Sequence, residues 1–201
     1  MQWSDFFRKY YSGISGGRTN RHITHTPVRE ALHFMEKEGL LEILPRVGYR
    51  VREIELQEFE DTCEIRKALE LLAVQFAIQR INPKILDELK DNLARSEAKT
   101  KEEDWKSFFD LDAEFHELLA KASGNSRLQN MIQALRADMV RYRIKSLHQE
   151  ETVRIAFEGH QRIIKAFAEG NLAAAETAIL EHLEQSQKYI LLHAFSKEDS
   201  A

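Results

Sequence analysis

DWKSFFDLDAEFHELLAKASGN, residues 104–125, is the stretch from which the fold can be read. Trp105, Phe108, Phe109, Phe115 and Leu119 recur at helical spacing and mark one buried face. Asp112 follows Trp105 by seven residues and His116 follows it by eleven, so both polar groups fall on that same apolar stripe. They are also four residues apart, neighbours one helical turn from each other. Ser123-Gly124-Asn125 ends the segment, and Asn125 can cap whatever follows.

Working outward, the same anomaly recurs twice. In residues 151–169, Val153, Ala156, Phe157, Ile164 and Phe167 form an apolar stripe that includes His160. In 172–195, Leu172, Ala175, Ile179, Leu183 and Ile190 form one that includes His182. Further helices are predicted near 56–80, 83–101, 104–122 and 126–148, with Asn82, Asn125 and Asn171 as N-caps. Short connections imply antiparallel neighbours in a bundle. Three of its helices then point one carboxylate and three imidazoles inward.

Burying such groups without partners costs several kcal/mol each. Each histidine could hydrogen-bond a neighbour. A single cation shared by Asp112, His116, His160 and His182 would satisfy all four at once. Three neutral imidazoles and a carboxylate suit Zn²⁺, with Ni²⁺, Mn²⁺ or Fe²⁺ as alternatives.

Composition narrows the class. Gly 8 and Pro 3 are low counts beside 31% charged residues, a mixture that favours helices. There is no apolar run of the roughly 18 residues a membrane span needs. The start MQWSDFFRKYY lacks an apolar signal core, and the single cysteine, Cys63, allows no internal disulfide. A cytoplasmic protein is the expectation. Residues 1–52 hold nine Lys/Arg against five Asp/Glu, a balance of +4, while the remainder carries −8. A polyanion would therefore be met by the front of the chain.

That front contains THTPVREALHFMEKEGLLEILPRVGYRV, residues 24–51. Thr24 or Thr26 can cap a helix and Pro27 suits its first turn. Val28, Ala31, Leu32 and Met35 give it one apolar face, and Gly39 is a natural stop. Leu40–Leu44 and Tyr49–Ile54 read as two strands around a Pro45–Gly48 turn.

This string resembles the recognition helix and wing of GntR-type winged-helix repressors. EIRKALELLAVQFA, DLDAEFHELLAKASGN and EGHQRIIKAFAEGNLAAAETAILEHL resemble the FCD ligand domain of the FadR-like branch. The resemblance covers about residues 24–195. It implies a mostly α protein: a winged helix-turn-helix over 1–54, then an antiparallel six- or seven-helix FCD bundle over 55–198. It also implies a homodimer, double-stranded operator DNA as partner, and a small carboxylate or hydroxy-acid effector. Asp112, His116, His160 and His182 match the metal-binding version of FCD. An ion with four protein ligands still accepts one or two more, which the acid could supply. Arg66 resembles a family arginine near the pocket; its alternative is an exposed salt bridge with Glu70. Tyr142 and Arg143 join it as effector candidates by helical phase.

On the DNA side the resemblance points to His25, Thr26, Arg29, Arg46 and Gly48. An arginine can offer two donors to guanine O6 and N7, and wing contacts to phosphate add affinity without sequence information. Two departures stand out. His25 occupies a place where the family usually has arginine. Residues 1–23, with a loop signal SGISGG at 12–17, have room for one helix where the family has two and a strand. An N-terminally truncated or altered winged helix with weakened DNA binding is therefore expected. Two other functions remain open on the sequence. One is a sensing and dimerisation module without competent DNA binding. The other is a metal-dependent hydrolase or lyase, for which Glu114, off the Asp112/His116 face, is poorly placed as a base.

Overall fold

The computed structural model describes residues 25–37, 41–52, 55–80, 82–143 and 150–195. The chain separates into two compact units, Met1–Glu53 and Ile54–Ala201. The predicted loop at SGISGG, the Gly39 stop, and the question of whether residues 1–23 complete the winged helix lie outside the described residues.

In the first unit, α1 (His25–Lys37) is followed by β1 (Leu41–Leu44) and β2 (Gly48–Val51). The strands pair antiparallel, with Leu41 opposite Val51 and Leu44 opposite Gly48. The turn between them closes with the Val47 N–H donating to the Leu44 carbonyl at 3.0 Å. Gly48 has φ +138°, a conformation that side-chain-bearing residues rarely adopt. β1 ends at Leu44 as predicted, with Leu40 outside the described residues; β2 begins one residue before its predicted start, because Gly48 pairs with Leu44, and it ends at Val51, with Glu53 and Ile54 outside the described residues. α1 packs on β1 through a face where Ala31, Leu32 and Met35 are half-buried and Val28 is exposed.

Among the described residues the second unit is a bundle of six helices: α2 (Leu56–Arg80), α3 (Pro83–Lys101), α4 (Trp105–Ala122), α5 (Ser126–Arg143), α6 (Glu150–Ala168) and α7 (Leu172–Ala194). The asparagine caps form as the sequence predicts. Asn82, Asn125 and Asn171 accept from the N–H groups of Ile85, Leu128 and Ala174 at 3.0, 3.1 and 3.0 Å. Each such cap satisfies one of the orphan donors at a helix start, typically about 1 kcal/mol. Of the predicted 126–148 helix, residues up to Arg143 are described as helical, and 144–149 lie outside the described residues.

α2 is the central element, packing against α4, α5 and α7, while α6 lies on α7 and α3 lies on α4 and α6. The main apolar cluster includes Val74, Leu89, Phe115, Ile163 and Ile179. A second gathers Phe59, Cys63, Met139, Tyr142 and Ile190, and a third Phe108, Val153 and Ala156. The apolar stripes read from sequence are largely the buried faces. Within the bundle stripes Leu172 is the exception at 38% exposure, as Val28 is on α1. Leu172 stands directly after the Asn171 cap, at the very start of α7, with no turn before it to pack against.

Candidate metal centre

Between these clusters lies a polar layer to which five helices contribute. α2 supplies Arg66 and Glu70, α4 Asp112 and His116, α5 Arg136, α6 His160 and α7 His182. Apolar residues flank the layer along its helices: Cys63 and Val74 on α2, Phe108 and Phe115 on α4, Ile132 and Met139 on α5.

One ligand atom from each of Asp112, His116, His160 and His182 lies within 4.8 Å of the other three. All four residues are at most 2% exposed. His116 Nε2 and His182 Nε2 approach to 3.0 Å, and His160 Nε2 lies 3.5 Å from Asp112 Oδ1. The His160 ring stacks on Phe115 with centroids 3.9 Å apart, which fixes its plane.

Outer partners orient these groups. Glu70 Oε2 sits 2.6 Å from His116 Nδ1. Burial alone would raise the Glu70 pKa, but Arg66, His116 and Arg136 overcome it and hold the carboxyl well below its usual range. An ionised Glu70 only accepts, so His116 Nδ1 carries a proton and its Nε2 lone pair points at His182. This is the carboxylate–histidine arrangement that orients metal-binding imidazoles. Burial, with Arg136 adding repulsion, lowers the His116 pKa against the pull of Glu70. Burial and the neighbouring His160 and His116 push His182 well below its ordinary value. Both rings are therefore neutral near pH 7, the form that ligates. His182 Nδ1 is buried with no hydrogen-bond partner among the described residues.

Arg136 Nη2 donates to Asp112 Oδ2 at 3.1 Å, and Arg66 Nε donates to Glu70 Oε1 at 2.6 Å. The four charged groups of the layer, Arg66, Glu70, Asp112 and Arg136, balance to zero when the imidazoles are neutral. A divalent cation would add two uncompensated charges to a buried site, and an anion would offset them. The donor set of three nitrogens and one carboxylate oxygen fits a borderline cation such as Zn²⁺. Beside His182 and Ala156, between α6 and α7, is a cavity of about 10 Å³, room for one water molecule.

The FCD domain model matches residues 61–185, which contain every residue of this layer. The chain belongs to the FCD-domain regulators of the GntR family. It is similar to an HTH-type transcriptional regulator in an unstable DNA locus of Streptomyces ambofaciens. The two are 31% identical over 161 residues, 80% of this chain and 67% of that protein. It is 26% identical to the transcriptional repressor RspR of Escherichia coli, over 81% of this chain and 72% of RspR. Its fold matches the solved structure of E. coli McbR/YncC with TM-score 0.76 at 22% identity, over 88% of each chain. Family and relatives are transcriptional regulators, not enzymes, which removes the hydrolase or lyase reading.

Other predicted site residues of this GntR regulator fall as follows. The Arg66–Glu70 pair forms, but it is buried, with Arg66 4% exposed, not the exposed bridge of the alternative reading. α2 turns that edge inward because its stripe Phe59, Cys63, Arg66, Glu70, Ala73 and Ala77 keeps helical spacing. Tyr142 is buried in the apolar cluster, its ring 5.0 Å from Phe59. Arg143 ends α5, and its side chain lies outside the described residues. Arg29 is exposed on α1. Arg46 is exposed at the hairpin tip with φ +65°. His25 and Thr26 open α1, and their side chains lie outside the described residues. Glu114 pairs with Arg95 on the bundle surface, away from the layer.

Sequence reasoning missed Glu70 as a buried partner, and it missed Arg136 and Gly159. Arg136 had a readable signal, since Leu128, Ile132, Arg136 and Met139 form one stripe on α5. Gly159 had none in periodicity. A Cβ built there would lie 2.5 Å from His182 Nδ1 and 3.2 Å from His182 Cβ.

Proposed function

We propose that this chain is a metabolite-responsive transcriptional regulator whose bundle senses a small carboxylate through a divalent cation. Asp112, His116, His160 and His182 hold the ion, Zn²⁺ being the best match to the donors. Their convergence within 4.8 Å in a buried layer is the observation that carries this reading. The ion, when bound, supplies a Lewis-acidic position for an organic anion. The charge balance of the layer favours an anionic ligand, and Arg66 and Arg136, paired with Glu70 and Asp112, are the cations on which its second oxygen would draw. Tyr142 and Arg143 are the weaker effector contacts.

Residues 1–54 serve as the DNA-binding part and 55–198 as the effector part. Arg29, with His25 and Thr26 at the start of α1, faces the major groove, while Arg46 and Gly48 at the hairpin tip lie along phosphates. The protein acts in the cytoplasm, where operator DNA is found.

A homodimer completes the reading. On α2, Ile65 and Leu72 are exposed at 51% and 36%, and Met131 on α5 at 53%. Half-buried Leu69 and Phe76 join Ile65 and Leu72 into one stripe. Exposed Asp61 and Glu64 flank one end of the stripe, and Arg80 and Arg127 the other. A second copy related by a two-fold axis would set the acidic end of each against the basic end of its partner. The same two helices carry Arg66, Glu70 and Arg136 into the layer. An acid that draws on those arginines therefore shifts the dimer face, and DNA and effector become reciprocally coupled, typically by about 1–3 kcal/mol.

The test has two stages. The purified chain is stripped with chelator and titrated with Zn²⁺, with metal content read after dialysis. One tightly held ion per chain is expected, and none would end the proposal. Small mono- and dicarboxylates are then screened by thermal shift with and without Zn²⁺. A hit should stabilise only the loaded protein and weaken operator binding in a gel shift. Unchanged DNA affinity at saturating acid would remove the regulatory part.

A further inference from the structure

We infer that Gly159 is the positioning residue of the polar layer. By lacking a Cβ it lets the His182 imidazole lie against α6 and reach His116 and His160. The inference rests on the metal reading above for its functional meaning, but its geometry does not depend on an ion.

Gly159 lies in the interior of α6, one residue before His160, and it is buried. A glycine at such a place weakens a helix relative to alanine, so its presence asks for a reason. The space supplies one. A methyl group at Gly159 would meet His182 Nδ1 at 2.5 Å, Cγ at 3.1 Å and Cβ at 3.2 Å. Packed side-chain atoms do not tolerate the first of these distances. Rotating the ring relieves only part of the overlap, because His182 Cβ belongs to the root of the side chain and moves only with α7. Any side chain larger than hydrogen therefore pushes His182 outward.

That displacement would act on the layer directly. His182 Nε2 lies 3.0 Å from His116 Nε2, and the His160 and His182 ring centroids are 4.8 Å apart. The ring is held between α6 on its Nδ1 edge and His116 on its Nε2 edge. Nδ1 faces α6 at Gly159, which leaves Nε2 as the nitrogen turned toward His116. Gly159 thus sets both the distance of the fourth ligand and which of its nitrogens is presented.

The experiment compares Gly159→Ala with the unaltered full chain, and repeats the pair in a His182→Ala background. Zn²⁺ affinity is measured by competition with a chromophoric chelator, Co²⁺ loading by visible absorption, and melting temperature on chelator-treated protein. Imidazole ¹⁵N spectra of the metal-free protein report ring positions. Gly159→Ala should weaken Zn²⁺ binding at least ten-fold, change the Co²⁺ band intensities, and move the His116 and His182 resonances. It should lower the melting temperature with His182 present and raise it with His182→Ala, where only helix propensity remains. A melting shift of the same sign in both backgrounds overturns the inference. So does wild-type Zn²⁺ affinity with an unchanged Co²⁺ spectrum. If the unaltered chain takes up no Zn²⁺, the metal reading fails. The melting cycle and the imidazole spectra then still decide whether Gly159 positions His182.

Discussion

Arg46 and Arg66 are the same residue type in two units, and the molecule uses them in opposite ways. Arg46 stands at the tip of a hairpin, exposed, its backbone held in a left-handed turn. Arg66 is buried in the bundle, committed to Glu70. Among the residues of the first unit whose side chains are described none is buried, and a cross-strand ion pair, Arg50 with Glu42, is exposed. The bundle draws the charges of Arg66 and Arg136 in among apolar clusters and balances them with Glu70 and Asp112. Each unit therefore keeps its information in a different place. The hairpin presents its charge to water. The bundle withholds charge from water, so that adding or removing one ion changes the energy of the whole layer.

The contrast is tested most forcefully at Arg66. Arg66→Ala leaves Glu70 buried with its closest cation gone, and should cost about 3–5 kcal/mol in urea unfolding. A cost near that of a surface substitution would mean the layer is wetter than its burial implies. Next comes Glu70→Gln, which keeps an acceptor for His116 but removes the charge. Zn²⁺ affinity should fall by about 10–100-fold, read by the same chelator competition, as for other outer partners of metal-binding histidines.

A third prediction concerns pH. His116 and His182 have folded-state pKa values below their unfolded value, so the unfolded chain takes up protons first as pH falls. Metal-free stability should be level above about pH 6.5 and decline below it, approaching about 1.4 kcal/mol per pH unit per imidazole. Urea midpoints at about pH 7.5 and about pH 5.5, either side of the ordinary imidazole pKa, check the sign. A midpoint that rises on acidification would contradict it. The smallest effect belongs to the hairpin. Arg46→Ala should change stability by no more than about 0.5 kcal/mol, while lowering the salt slope of DNA binding by about one. A large stability loss there would erase the difference between the units.

The three asparagine caps, and with them the starts of α3, α5 and α7, were readable because a cap is a local contract between one side chain and an amide three residues on. The four candidate ligands were readable because a polar residue on an apolar stripe violates a periodic rule. The Arg66–Glu70 pair obeys an equally simple rule, i to i+4, and that rule holds equally on a surface and in a core. An exposed bridge was therefore a natural alternative to a pocket role for Arg66, and only the positions of α4 and α5 against α2 decide that the pair is buried. Arg136 shows the same limit from the other side: its stripe was visible, but not the Asp112 carboxylate across the helix interface.

Order along the chain was enough for the elements, their faces and the quartet that those faces turn inward, since propensity and period depend on near neighbours. Depth, partner and clearance came from packing in three dimensions. Whether Glu70 meets His116, and whether a hydrogen at Gly159 leaves room for His182, depends on how closely two helices approach, and that distance is set by all the side chains packed between them.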